Sequence, residues 1–167
     1  MPHQYSMRQA QKVAEQATKE IETWLRGRPE TVSVVNVEND PAFQAIDVDL
    51  VWQTHKRTYR IEIKCDRYYR TGNFFLETQS NAELGTPGCM LYTQADFVFY
   101  YFVQPKILFV LPMPATRDWF LKNLARFLER KTTTPTSNEK FYTTIGRLVP
   151  REILRAEVAN VREIKLA

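Results

Sequence analysis

The chain has 167 residues, with 23 Lys+Arg against 19 Asp+Glu, a formal net charge of +4, and 44% hydrophobic residues. At roughly 100–200 residues per domain this length predicts one domain over residues 1–167, and the apolar share excludes wholesale disorder. The longest apolar run, residues 97–103, is far short of the roughly 20 residues of a membrane helix, and the modest positive charge suits a nucleic-acid partner without singling one out.

The first residues, Met1-Pro2-His3-Gln4-Tyr5, have no basic start followed by an apolar stretch, so no signal peptide is expected. Ser6 with Gln9 forms a capping-box pattern. Ala10, Val13, Ala14, Ala17, Ile21, Trp24 and Leu25 then recur at helical spacing until Gly27, Arg28 and Pro29 stop the helix. Residues 31–37 are a β-branched run and read as the first strand, broken by Asn39, Asp40 and Pro41. Residues 46–52 alternate, predicting a strand with Asp47, Asp49 and Val51 on one face and Ile46, Val48, Leu50 and Trp52 on the other. Residues 54–57 make the polar turn of a hairpin. Residues 59–66 return with Ile61, Ile63 and Cys65 on one face and Arg60, Glu62, Lys64 and Asp66 on the other.

Further along, residues 73–78 read as a short extended piece, and residues 80–94 as irregular or briefly helical. Residues 96–103 and 106–112 are apolar strands of a sheet interior. Thr116 is the expected cap of a second helix burying Trp119, Phe120, Leu124, Phe127 and Leu128. Residues 131–140 read as a polar loop, 141–149 as a strand interrupted by Gly146, and 150–156 as a short helix. Cys65 and Cys89 have the spacing of neither a disulfide framework nor a zinc site, which leads to the expectation of a reducing, cytoplasmic location. The fold class expected is α/β, a central mixed β-sheet flanked by helices.

The chemistry gathers in the hairpin. If the faces bearing Asp47 and Asp49 and bearing Glu62 and Lys64 coincide, two or three carboxylates converge beside a lysine. The apolar opposite faces would hold that register, because a slip of one residue turns the charges into the core. Converging carboxylates suit a hard divalent cation, which neutralises phosphate charge and acidifies water. The lysine would orient the water or stabilise charge developing on the phosphate. An exposed strand face with a plain ion pair is the competing account; such a pair is worth only ~0–1 kcal/mol.

The residues Ala45-Ile46-Asp47-Val48-Asp49-Leu50-Val51-Trp52 and Tyr59-Arg60-Ile61-Glu62-Ile63-Lys64, an Asp-x(14)-Glu-x-Lys arrangement, resemble the PD-(D/E)xK nuclease superfamily of restriction endonucleases and Holliday-junction resolvases. More narrowly, Asp40, Gln44 and Asp47, then Lys64-Cys65-Asp66 and residues 71–77, look like small phage and bacterial members, as does the Ala95-Asp96 pair entering an aromatic strand. The resemblance spans about residues 6–112, and no proline stands immediately before either aspartate. It implies a restriction-endonuclease-like core and a Mg²⁺-dependent endonuclease acting on DNA, with Mn²⁺ able to substitute and a homodimer to cut both strands. Asp47, Glu62 and Lys64 would be catalytic, with Asp47 and Glu62 on the metal. Asp49 is an additional or alternative ligand, and Asp47 is favoured.

The first helix of such nucleases often supplies another acid. Counting about 100° per residue, Glu20 lies roughly 90° from the centre of the apolar stripe, nearer than Glu15 or Glu22. Glu77 is a further candidate acid, and Gln79 a weaker phosphate donor. Arg67, Tyr69 and Arg70, with Tyr68, mix cations and aromatic rings in the manner of a nucleic-acid contact. Two rival readings remain: a catalytically inactive nucleic-acid-binding or assembly subunit of the same fold, and a protein-interaction domain with a charged hairpin.

Overall fold

A computed structural model describes residues 7–136, 138 and 140–167. The expected cap at Ser6 and the start of the chain with His3 lie outside the described residues. Helix α1 (Met7–Arg26) buries Ala17, Thr18, Ile21 and Leu25, and it ends where Gly27 N and Arg28 N turn back onto the carbonyls of Thr23 and Leu25. Strand β1 (Thr31–Asn36) follows, and then a single turn of helix, α2 (Pro41–Gln44), with Asp40 accepting from Ala42 N as its N-cap. Strands β2 (Leu50–Thr54) and β3 (Thr58–Asp66) form the hairpin, closed by Thr54 Oγ1 donating to Arg57 O at 2.8 Å.

Next come β4 (Asn73–Asn81), the short β5 (Thr86–Pro87) and helix α3 (Cys89–Tyr92). Strands β6 (Phe97–Phe102) and β7 (Ile107–Pro112) lead to α4 (Ala115–Lys122). The chain finishes with β8 (Leu128–Pro135), β9 (Phe141–Pro150), α5 (Arg151–Glu157) and β10 (Arg162–Lys165). No helix of the described residues is long and apolar enough to cross a membrane.

The six-stranded sheet runs β1-β2-β3-β6-β7-β10, with β3 and β6 parallel and every other pair antiparallel. The molecule is thus α/β with a mixed central sheet and flanking helices. A parallel pair cannot be joined by a tight turn. Here the crossover from β3 to β6 carries β4, β5 and α3 over one face of the sheet. On the other face α1 packs Ile21 and Leu25 against Leu50, Ile61, Phe99, Tyr101, Leu108 and Val110. The crossover face buries Phe74, Leu76 and Met90 with Val98, Tyr100, Phe102 and Phe109, and it is completed by Phe120 of α4 and Leu154 of α5. Strands β5-β4-β9-β8 make a second, antiparallel sheet whose Phe74, Leu76 and Val149 share this core.

Several expectations are corrected. The strand expected from residue 46 begins at Leu50, because Asp47 stands at φ 55° in a tight turn. Thr116 lies inside the first turn of α4, donating to Pro112 O, and the helix stops at Lys122. Leu128, expected on the buried face of that helix, is 67% exposed at the start of β8. Of the polar loop expected at residues 131–140, residues 131–135 are strand: β8 is a sheet edge, and an edge needs no apolar alternation to hold it when β9 supplies the hydrogen bonds. Strand β9 runs unbroken through Gly146, where a Cβ would stand 2.7 Å from the Phe75 ring, so this glycine serves close packing and no interruption. The strand β10 falls where no element was expected.

Candidate active site

Along β3 the alternation sends Ile61, Ile63 and Cys65 toward α1, and Glu62 and Lys64 to the crossover face, where they pair in register with Val98 and Tyr100 of β6. Asp49 reaches the same region from just before β2. Its N donates to Ile61 O at 2.9 Å, and its Oδ2 accepts from Ile63 N at 2.8 Å, so the side chain replaces a main-chain partner where the ladder ends. Lys64 Nζ lies 3.8 Å from Glu62 Oε1 and 3.7 Å from Glu77 Oε2. Glu77 is contributed by β4, which the crossover lays over this face.

Asp47 arrives by a different route. Its left-handed backbone suits an aspartate better than most residues, since a short polar side chain tolerates that region. The turn is clamped from α3 and its exit: Thr93 Oγ1 donates to Asp47 O at 2.6 Å, and Gln94 N to Ile46 O at 2.9 Å. Arg117 of α4 in turn donates to Met90 O at 2.7 Å and to Thr93 O, fixing the end of α3. Asp47 Oδ2 is buried with no hydrogen-bond partner. The Tyr92 hydroxyl, at the exposed end of α3, lies beside the Asp47 carboxylate.

One oxygen each of Asp47 and Glu62 and the Cys89 sulfur lie within 4.8 Å of one another. A cavity of about 10 Å³ on the Cys89 side of this cluster is lined by Lys64, Glu77 and Tyr100 and by the apolar Phe75, Leu76, Met90 and Val98, and Asp47 and Glu62 do not line it. The charges are expensive to hold here. Burial pushes the Glu62 carboxyl well above the ordinary range; Lys64 opposes this, while Asp49 and Asp47 reinforce it. Burial raises Asp47 too, again against Lys64. Lys64 is pushed well above the usual lysine range by the Cys89 sulfur when ionised and by Glu77, Glu62 and Asp47, with burial opposing. Burial also raises the Cys89 thiol, and it pushes Tyr92 up to about 12 with Asp47 beside it. At neutral pH the lysine is a cation and the tyrosine a hydrogen-bond donor.

The remaining candidates lie elsewhere. Glu20 is on α1, on the opposite face of the sheet, where it accepts from Tyr101 and pairs with Lys106 at 3.6 Å; the structure does not bring it to Asp47 and Glu62. The helical count put Glu20 correctly at the edge of the stripe, but the stripe faces away from the acids. Tyr69 is packed under Arg151, whose guanidinium carbon lies 4.2 Å from the ring centre, and edge-on to Phe102, while Tyr68 and Arg70 are exposed and Arg67 is half-buried. Gln79 pairs with Ile145 and Pro87 in the second sheet. Asp40 caps α2, and the Gln44 amide donates to Glu38 O at 2.9 Å, so both shape the approach to Asp47 without joining it.

No family model, curated protein or solved structure matches this chain, so its chemistry is argued from the site itself. Cys89, Tyr92 and Thr93 were not anticipated from the sequence. Only tertiary packing carries α3 to Asp47, and a lone cysteine in an irregular segment gives no signal of its neighbours.

Proposed function

We propose that the protein is a metal-dependent nuclease of the PD-(D/E)xK type with a restriction-endonuclease-like core, hydrolysing phosphodiester bonds of DNA. The observation that carries this reading is the convergence of Asp47 and Glu62, from separate elements, beside the Lys64 ammonium. The buried Oδ2 of Asp47, which has no hydrogen-bond partner, and the raised carboxyl of Glu62 suit a divalent cation better than a surface ion pair, because an ion would relieve both. Asp47 and Glu62 would hold Mg²⁺ or Mn²⁺, with Asp49, whose side chain lies against Glu62, as an additional or alternative ligand. Such an ion supplies charge neutralisation at the phosphate and acidifies water.

The chain's own groups do the rest. Lys64, held between Glu62 and Glu77, would present its ammonium to a phosphate oxygen or to the attacking water. Tyr92 sits at the exposed rim as a donor and an aromatic surface for a sugar or base. Arg67 and Arg70 follow the catalytic strand and extend positive charge for the DNA backbone. A homodimer in the cytoplasm, each copy cutting one strand, completes the proposal.

The test is cleavage of labelled duplex, single-stranded, flap and four-way-junction DNA in Mg²⁺ and in Mn²⁺. Wild type is expected to cut at least one of them, and Lys64→Ala and Glu62→Ala to lose at least a hundredfold in rate. DNA binding without cutting would replace the nuclease with the inactive subunit, and neither binding nor cutting would end the nucleic-acid reading.

A further inference from the structure

The geometry points to Cys89 as a third ligand of this centre, giving it a tighter grip on thiophilic divalent cations such as Zn²⁺ or Cd²⁺ than on Mg²⁺. The inference rests on Asp47 and Glu62 being metal ligands and extends that reading to the identity of the ion.

Cys89 is 4% exposed and belongs to the apolar cluster with Met90, as a small core residue would. Its sulfur nevertheless lies within 4.8 Å of two carboxylate oxygens. Bonds of about 2.0–2.3 Å at a tetrahedral angle set two donors roughly 3.5 Å apart, so donors within 4.8 Å of one another reach one ion through small shifts of the carboxylates. Beside them Asp47 Oδ2 is buried and lacks any hydrogen-bond donor.

The position of the sulfur is also rigidly set. A Cβ on Gly88 would stand 2.3 Å from Glu77 O, so the start of α3 lies directly on the β4 backbone, and Gly88 N donates to Thr78 O at 3.0 Å. At the other end of α3, Thr93 holds the Asp47 carbonyl and Arg117 holds Thr93. Cys89 and Asp47 are thereby carried as one unit over Glu62. Two carboxylates alone suit a hard ion; adding a sulfur shifts preference toward borderline and soft ions. The thiol proton passes to solvent as the sulfur–metal bond forms. Cys65 points to the α1 face and serves as an internal control.

The experiment uses the full chain, stripped of metal. Cd²⁺ is titrated while the ultraviolet thiolate-to-cadmium charge-transfer band is followed, and Zn²⁺ and Mg²⁺ affinities are measured by calorimetry. The band is expected in wild type and Cys65→Ser, and its loss in Cys89→Ser, Asp47→Asn and Glu62→Gln. Zn²⁺ is expected to bind at least tenfold more tightly than Mg²⁺, a margin that collapses in Cys89→Ser. A band that survives Cys89→Ser or is untouched by the carboxylate variants overturns the proposal, as does equal affinity for the two ions. Should Cys89→Ser fail to fold, cadmium X-ray absorption of wild type decides: one sulfur neighbour supports the ligand, oxygen neighbours alone refute it. Mg²⁺-dependent cleavage without the band would leave the nuclease reading standing and sink this one. The band without cleavage would do the reverse.

Discussion

Asp47 and Glu62 are each costly to the metal-free fold, in different ways. The Glu62 carboxyl holds its proton to higher pH in the folded chain than its ordinary value of 4.5. The folded state therefore binds more protons than the unfolded one above that value, and metal-free stability falls as pH rises through the window. Glu20 and Glu157, lowered by their partners, complete their own titration below it and have the opposite sign. Glu62→Gln is accordingly expected to raise the metal-free Tm near neutral pH by a few degrees, corresponding to about 1 kcal/mol, while removing any response to Mn²⁺. A melt in EDTA that shows the variant less stable than wild type would contradict this.

At Asp47 the backbone adds a second condition, φ 55°, which asparagine tolerates and alanine does not. Asp47→Ala should be about 1 kcal/mol less stable than Asp47→Asn, although both lose the proposed metal ligand. Urea titrations of the two variants check this, and they make Asp47→Asn the proper substitution for testing the site.

Among the elements, α3 has the greatest effect on the site for its size. Four residues long, it brings Cys89 and Tyr92 to the acids only because Gly88 permits its backbone to rest on β4 at Glu77. Gly88→Ala forces these backbones apart and is expected to cost about 1–3 kcal/mol. It should also weaken Mn²⁺ binding, since the Thr93–Asp47 hydrogen bond moves with the helix. Gly85→Ala is the control: its φ of 66° makes it strained, but nothing lies near its absent Cβ, so calorimetry should find its Mn²⁺ affinity unchanged. Equal affinities for both variants would show that α3 does not set the metal site.

For the molecule as a whole, the crossover between parallel β3 and β6 is what turns a charged hairpin into an enclosed site. It covers Glu62 and Lys64 with β4 and α3 and leaves α1, with Glu20, on the far side. A cation joining elements this distant in sequence stabilises only the folded chain. At a concentration of about one hundred times its Kd, it should add about 2.7 kcal/mol, raising Tm by about 5–10 °C. Mn²⁺ melts with and without EDTA measure this, and an unchanged Tm at millimolar Mn²⁺ would count against a metal centre.

Much of this was legible in the residue order. The period-2 alternation of β3 placed Glu62 and Lys64 on one face, because a strand with an apolar side has a single workable register. The helical period likewise determined which side of α1 is buried from Ala17 to Leu25, although Ala10 and Ala14 of the same stripe are exposed, and the aromatic runs marked β6 and β7 as interior strands. Local pattern went wrong where long-range contacts override it: at Asp47, drawn out of its strand by a turn that Thr93 clamps, and at β8, a polar edge held by β9. Which face Glu20 would share, and that Glu77, Cys89 and Tyr92 would meet Asp47, depended on the path of the crossover. Periodicity along a chain reports which side of an element avoids water; it carries no information on what the opposite side will meet.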